Sequence, residues 1–349
     1  MWFVLLSHFL FLYPIPGALS WMPGPIREFL GHGWLGIDLF FVLSGFLITG
    51  ILLDSRKEPH YFRNFYARRA LRVLPLYFVA VPLIGLFYVN SWNYILLSLV
   101  FLANLAGWLS IYIPHGPGVL WQLATEEQFY LAAPWLVRFL NRRTLAIIAV
   151  SVVIVTPVLR GIARAHGVPA EPTIYELGIF RCDGLALGAL LALWYRAKNF
   201  SRSRSLQAAI ALLALDAALT IFTIPFGMGG TATPMAVAVR FTQALLIYGA
   251  GMLAVLAYQG GAFTAILRSR LAVLSGELSY CIYLTNLALA DGYMAAAAPR
   301  IEPRILPVIG PNGTLAVRIS ILTIVTFGVA IISRILIERP FLKLKNRFA

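Results

Sequence analysis

Charge is scarce in this chain of 349 residues: Asp, Glu, Lys and Arg make up 12% of it, where an ordinary soluble domain carries about 25%. Apolar residues fill the difference, at 60% of the total, and that balance excludes a water-soluble globular domain. Cysteine is nearly absent. Cys182 and Cys281 stand in apolar surroundings with neither paired nor metal-like spacing, so they are expected to be packing residues, and no metal site is expected. There is no long polar stretch that could form a soluble appendage, which predicts one multi-pass membrane domain over residues 1–349. The apolar start has no basic lead, and Ser20-Trp21-Met22-Pro23 follows it in place of a small-residue cleavage site. It reads as a retained span rather than a signal peptide. Because the chain opens inside an apolar run, a natural start upstream of Met1 is expected.

The charge that is present has one dominant sign: 28 Lys and Arg against 14 Asp and Glu, a net +14. In a soluble protein this would point to nucleic acid. Here the basic residues fall between apolar runs, where they orient spans and meet anionic headgroups, so the expected partners are membrane lipids and not nucleic acid. The densest cluster, Arg56, Lys57, Arg63, Arg68, Arg69 and Arg72, follows an apolar run over 34–53 and marks a cytoplasmic loop.

Further candidate spans lie at 120–140, 145–159, 174–195, 206–225, 239–258, 274–296 and 315–336. Residues 73–113 have the apolar length for two more but are broken at Pro75, Pro82 and Asn90-Ser91-Trp92-Asn93. The basic loops at Arg138 to Arg143, Arg196 to Arg204, Arg268 to Arg270 and the tail Arg339, Lys343, Lys345 and Arg347 should all be cytoplasmic. Two full crossings within 73–113 would put the Arg56 to Arg72 loop on the wrong side. The predicted fold is therefore all-α and polytopic, with about ten transmembrane helices, one broken or re-entrant segment and both termini in the cytoplasm. Irregular backbone at membrane depth survives only where protein or a water-filled cavity satisfies it, so the break is expected to line the functional cavity.

Ionisable residues inside spans are costly and commonly mark function. The candidates are His8, Asp38, Glu126, Glu127, Asp183, Asp216 and Glu277. His8 is the natural general base, because its ordinary pKa is near 6.5; the bland alternative is an interhelical hydrogen bonder. Glu126 and Glu127 are adjacent, about 100° apart on a helix, and cannot face one partner together. Each is a structural carboxylate, a group that positions His8, or a group that grips an acceptor hydroxyl. Asp38, near the outer end of its span, is read as a headgroup-level, capping or catalytic residue. Arg68 and Arg72, one helical turn apart, suit a bidentate grip on phosphates or an orientation signal.

Four blocks carry a resemblance. Gly36-Ile37-Asp38-Leu39-Phe40-Phe41-Val42-Leu43-Ser44-Gly45-Phe46-Leu47-Ile48, Arg68-Arg69-Ala70-Leu71-Arg72-Val73-Leu74-Pro75, Leu120-Trp121-Gln122-Leu123-Ala124-Thr125-Glu126-Glu127-Gln128-Phe129-Tyr130-Leu131 and Ile337-Glu338-Arg339-Pro340-Phe341 resemble, in this order, the acyltransferase 3 family of membrane O-acyltransferases. Arg181 to Gly188 and Leu278 to Leu284 are similar to its weaker, later patterns.

The resemblance implies transfer of an acyl group, commonly acetyl, from cytoplasmic acyl-CoA to a hydroxyl of a carbohydrate or lipid-linked glycan, in the cytoplasmic membrane of a bacterium. It implies catalytic roles for His8 and Glu126, donor binding by Arg68, Arg69 and Arg72, and substrate contacts at Asp38, Ser44 and Glu127. Three positions depart from the family pattern. The family's basic residue eleven places before the histidine would precede Met1. Gln122 replaces a serine, and Asn286 stands where a histidine is frequent and cannot take a proton at neutral pH. A transporter or flippase of a glycan or acyl group, or an inactive scaffold descended from the enzyme, is the rival reading.

Overall fold

The computed structural model describes residues 1–226 and 231–345; Arg347 of the expected basic tail lies outside them. No strand occurs among the described residues. Five helical stretches have the length and apolar composition to cross a membrane: Gly24–Asp54, Arg142–Ala165, Arg202–Thr223, Pro234–Ala257 and Ala298–Leu344. The expectation of about ten rests on more polar helices as well.

The chain opens with α1 (Trp2–Phe11) and a short α2 (Gly24–Gly31), which leads through a 3-10 turn into α3 (Gly36–Asp54). α4 (Tyr61–Gly85) carries the arginine block and runs on through Pro75 and Pro82, giving a helix about 37 Å long at about 1.5 Å per residue. The interruption of 73–113 therefore falls after Gly85. The piece beyond it, α5 (Trp92–Leu99), has eight residues, about 12 Å, against a hydrocarbon core of about 30 Å. Residues 100–116 then run mostly without helix to α6 (Leu120–Phe139). Side chains of the neighbouring helices satisfy backbone carbonyls here: Tyr77 donates to that of Ser98, in the last turn of α5, at 2.7 Å, and Gln128 to that of Phe101, in the irregular stretch, at 2.9 Å.

Five helices follow: α7 (Arg142–Ala165), α8 (Cys182–Tyr195), α9 (Arg202–Thr223), α10 (Pro234–Ala257) and a short α11 (Ala262–Leu267). Side-chain caps start several of them, with Asn141 accepting from the Thr144 amide, Ser201 from Arg204 and Thr233 from Ala236. The span expected over 174–195 is shorter than the sequence reading had it. Residues 170–180 form short turns of other helix types, and the α-helix begins only at Cys182. α12 (Arg270–Ala296) and α13 (Ala298–Ser333), the latter kinked at Gly310, complete the bundle with α14 (Arg339–Leu344).

α3 and α8 touch backbone to backbone. A Cβ on Gly45 would stand 2.0 Å from the Leu185 carbonyl oxygen, and one on Gly188 would stand 2.1 Å from that of Val42. Small residues at a crossing let helices approach to this distance, where dispersion and interhelical polar contacts replace a hydrophobic driving force that lipid cannot supply.

Two buried ion pairs sit beside this crossing. Arg160 on α7, fully buried, donates to Asp183 Oδ2 at 2.8 Å, to the Phe180 carbonyl at 2.8 Å and to Thr242 at 2.8 Å. Arg181 donates to Asp38 Oδ1 at 2.7 Å, with its guanidinium 3.7 Å from the Phe241 ring centre. Asp38, in the first turn of α3, thus lies inside the bundle at 2% exposure, its carboxylate held by an arginine from the α8 end.

Candidate functional site

Three helices that run side by side in one direction, α1, α4 and α12, set the axis of the site. Trp2 donates to Ser275 at 3.2 Å, His8 meets Asn286 and Tyr13 meets Asp291, so position advances together along α1 and α12. α4 follows the same course, since Tyr280 donates to the Val73 carbonyl at 3.1 Å and Tyr88, just past the end of α4, donates to Asp291 at 2.6 Å. The arginine block begins this path, His8 lies along it, and Tyr88 ends it.

At the first end, Arg68, Arg69 and Arg72 line a cavity of about 210 Å³ together with Ser55, Glu58 and Lys345. Four cations against one carboxylate make this an anion pocket. Arg68 and Arg72 share it as their one-turn spacing requires. Lys345 is an addition that the sequence reading had assigned to membrane orientation alone. Its ammonium is pushed down from the usual lysine range by partial burial and by the neighbouring charges of Arg72, Arg68 and Arg69.

Arg69 also faces inward. Its guanidinium lies 3.9 Å from the Tyr130 ring centre, and its Nε is 3.9 Å from Glu127 Oε1. The adjacent acids turn to different partners, as their angular offset on α6 dictates. Glu127 turns to Arg69, whereas Glu126, buried, receives Gln122 Nε2 at 3.1 Å and the Tyr130 hydroxyl at 2.9 Å. Tyr130 also stands 2.9 Å from Ser44 Oγ. With one proton to give, it donates to the carboxylate and accepts from the serine. Ser44, Tyr130, Glu126 and Gln122 therefore form one hydrogen-bonded line from α3 along α6. Gln122, which departs from the family's serine, holds the carboxylate.

The partner of His8 is Asn286. His8 Nδ1 is 2.8 Å from Asn286 Oδ1, while the Asn286 amide nitrogen donates to the carbonyls of Ile282 at 2.9 Å and Tyr283 at 2.8 Å. Those two donations fix which way the amide points, so the atom facing the imidazole is an acceptor and Nδ1 must carry the proton. Nε2 is left with its lone pair, the form a general base needs. Sequence reasoning had offered Glu126 for the task of positioning His8, but the two Glu126 oxygens take Gln122 and Tyr130 instead. Of the remaining candidate acids, Asp38 pairs with Arg181, Asp183 with Arg160 and Glu277 with Arg334 at 2.6 Å, whereas Asp216 on α9 keeps a buried Oδ1 with no hydrogen-bond partner among the described residues.

A half-buried imidazole with Nδ1 turned to Asn286 thus lies along the three helices whose first end is the anion pocket. The family model for an acyltransferase domain matches residues 1–335. The chain belongs to the acyltransferase 3 family.

Among relatives, this acyltransferase 3 chain is 29% identical over 190 residues, 46% of its length, to the peptidoglycan O-acetyltransferase OatA of Listeria monocytogenes, where the match covers 30% of that protein. It is 28% identical over 201 residues, 49% of its length, to the putative peptidoglycan O-acetyltransferase YrhL of Bacillus subtilis, again 30% of that protein. An uncharacterized protein of Haemophilus influenzae is 28% identical over 186 residues, 47% of this chain and 76% of that one. The matched segments span under a third of the two O-acetyltransferase relatives. No solved structure matches the chain.

Proposed function

We propose that this protein is an O-acyltransferase of a bacterial cytoplasmic membrane, moving an acyl group, acetyl first, from acyl-CoA in the cytoplasm to a hydroxyl of a carbohydrate or lipid-linked glycan. About ten crossings, with both termini and the arginine end on the cytoplasmic side, give the topology this requires. The observation that supports the reading most is the Asn286 amide, which leaves His8 Nε2 as the base.

In this scheme the coenzyme's phosphates rest against Arg68, Arg72 and Lys345 in charge-assisted hydrogen bonds. The thioester arm reaches along α4 toward His8. The acceptor hydroxyl oxygen attacks the thioester carbonyl carbon while His8 Nε2 takes its proton. The carbon–sulfur bond then breaks and His8 returns that proton to the departing thiolate, so the products are an O-acyl ester and free coenzyme A. Glu126, held by Gln122 and Tyr130, orients the acceptor hydroxyl through the Tyr130–Ser44 hydroxyl pair. Arg69 ties the donor pocket to this line through Tyr130 and Glu127. Asp38 contributes through Arg181, as a fixed wall rather than as a contact to the reacting atoms.

The test is to incubate purified protein with radiolabelled acetyl-CoA and a membrane glycan fraction, and to compare it with His8→Ala and Arg68→Ala. Label on carbohydrate from the native protein alone supports the assignment. Equal label from all three removes it.

A further inference from the structure

The end of the bundle opposite the arginines holds a second histidine that the transfer scheme above does not use. His115 sits in the turn before α6, and its side chain is 47% exposed. Its Nδ1 lies 2.7 Å from Asp291 Oδ1 and 3.3 Å from the Tyr13 hydroxyl. The same carboxylate receives the Tyr13 hydroxyl on Oδ1 and the Tyr88 hydroxyl on Oδ2 at 2.6 Å. Asp291 thus takes three donors, and it fixes the imidazole with Nδ1 protonated. Nε2 is the ring nitrogen left for a ligand.

The surroundings are built to hold that geometry. Tyr13 is fastened at both ends, its hydroxyl on Asp291 and its carbonyl oxygen on Arg318, which itself pairs with Glu302 at 2.6 Å. Its ring meets the imidazole edge-on with centroids 5.8 Å apart. The turn is pressed onto the bundle at Gly116, where a Cβ would stand 1.8 Å from the Tyr88 hydroxyl and 3.0 Å from Ala288 Cα. Only glycine lets the His115 backbone come so close.

The position is as telling as the contacts. Asp291 lies one and a half turns beyond Asn286 on α12, about 7–8 Å along the axis. Tyr280, level with the arginine end through Val73, lies about 9 Å before Asn286. His8 is therefore between the anion pocket and the second histidine.

We propose that His115, held by Asp291 beside the ring of Tyr13, binds the acceptor carbohydrate, with Nε2 accepting a hydrogen bond from a sugar hydroxyl. The half-exposed imidazole supplies the polar contact, and Tyr13 supplies an amphipathic ring against which a pyranose can lie. The acceptor then enters from the end opposite the donor, and the two substrates converge on His8. This inference rests on the O-acyltransferase reading for its substrate class, though the site can be tested by binding alone.

The experiment uses a peptidoglycan tetrasaccharide as probe, with native protein, His115→Ala and His115→Gln in detergent micelles. Three quantities are measured: tetrasaccharide affinity by calorimetry, acetyl-CoA affinity, and the KM and kcat of label transfer. His115→Ala should weaken tetrasaccharide binding and raise its KM about tenfold, as loss of one hydrogen bond to a held polar group implies. Acetyl-CoA affinity should stay within about twofold and kcat at saturating glycan should be retained. His115→Gln, whose amide places a polar atom near the position of Nε2, should recover part of the glycan affinity. Native protein that binds the glycan through His115 but transfers no label would overturn the transferase reading and leave the site standing. Transfer with glycan affinity and KM unchanged in His115→Ala would overturn the site and leave the transferase reading. Neither binding nor transfer by the native protein overturns both.

Discussion

His8 Nδ1 faces Asn286 Oδ1 at 2.8 Å because both protons of the Asn286 amide are taken by carbonyls one turn earlier on its own helix. A residue that cannot exchange protons thereby decides which nitrogen of a neighbouring imidazole can. Replacing it by leucine keeps the volume and removes the acceptor. Asn286→Leu should lower kcat about tenfold or more with the KM values for both substrates little changed, whereas His8→Ala should cost about 10²–10⁴ in kcat. Steady-state kinetics in both substrates separates these outcomes from a binding defect.

The anion pocket predicts a salt-dependent donor affinity. Arg72→Ala and Lys345→Ala should each weaken acetyl-CoA binding several-fold at low ionic strength, with the difference from the native protein shrinking as salt rises past about 0.15 M, where the Debye length is about 8 Å. An acetyl-pantetheine donor lacking the nucleotide phosphates should show little response to either substitution. Titration of the two donors against the two variants checks both statements.

The Arg160–Asp183 pair predicts an asymmetry in stability. Removing one partner leaves a charge or a set of donors buried without compensation, at a cost of about 3–5 kcal/mol, whereas replacing both by apolar residues of similar size can be close to neutral. Arg160→Leu alone should therefore lower the melting temperature in detergent far more than Arg160→Leu combined with Asp183→Leu. A double-mutant cycle measures the coupling.

His115 predicts a pH dependence outside the membrane-spanning segments. The groups facing it are Asp291, Tyr13 and Tyr88, with His8 deeper in the bundle. The hydrogen bond to Asp291 raises the imidazole above its ordinary pKa of 6.5, against the opposing effect of partial burial. A raised folded-state pKa means that the stabilisation is fully present below about 6.5 and is lost as the pH climbs through the folded value. Melting temperatures of native protein and His115→Gln should therefore diverge most in mildly acidic buffer and converge in alkaline buffer. A constant difference across that range would show that His115 titrates without coupling to folding.

Residues whose placement is written into local order were legible in the sequence. Arg68 and Arg72 share a pocket because a helix brings every fourth residue to one face, and Glu126 and Glu127 part because adjacent residues diverge. Residues whose task depends on distant partners were not. Asp38 and Arg181 are 143 positions apart and His8 and Asn286 are 278 apart, and no periodicity reports such meetings. The turn at His115 reads in one dimension as Gly and Pro punctuation; its meaning appears only when Asp291 arrives from α12. A broken piece within 73–113 was expected from the basic loops on either side, but not which one: α4 runs on through Pro75 and Pro82, and the short piece is α5. The contacts of Tyr77 with its last turn and of Gln128 with its irregular continuation are tertiary.

The central claim is that donor and acceptor approach His8 from opposite ends of the bundle. It is tested most directly in sealed proteoliposomes of known protein orientation, with the glycan on one side and radiolabelled acetyl-CoA supplied to either side in turn. The account predicts label on the glycan only when acetyl-CoA is given on the side of Arg68 and Arg72 and the glycan on the side of His115, and none with His8→Ala. Equal labelling with both substrates on one side, or labelling that survives His8→Ala, would contradict it.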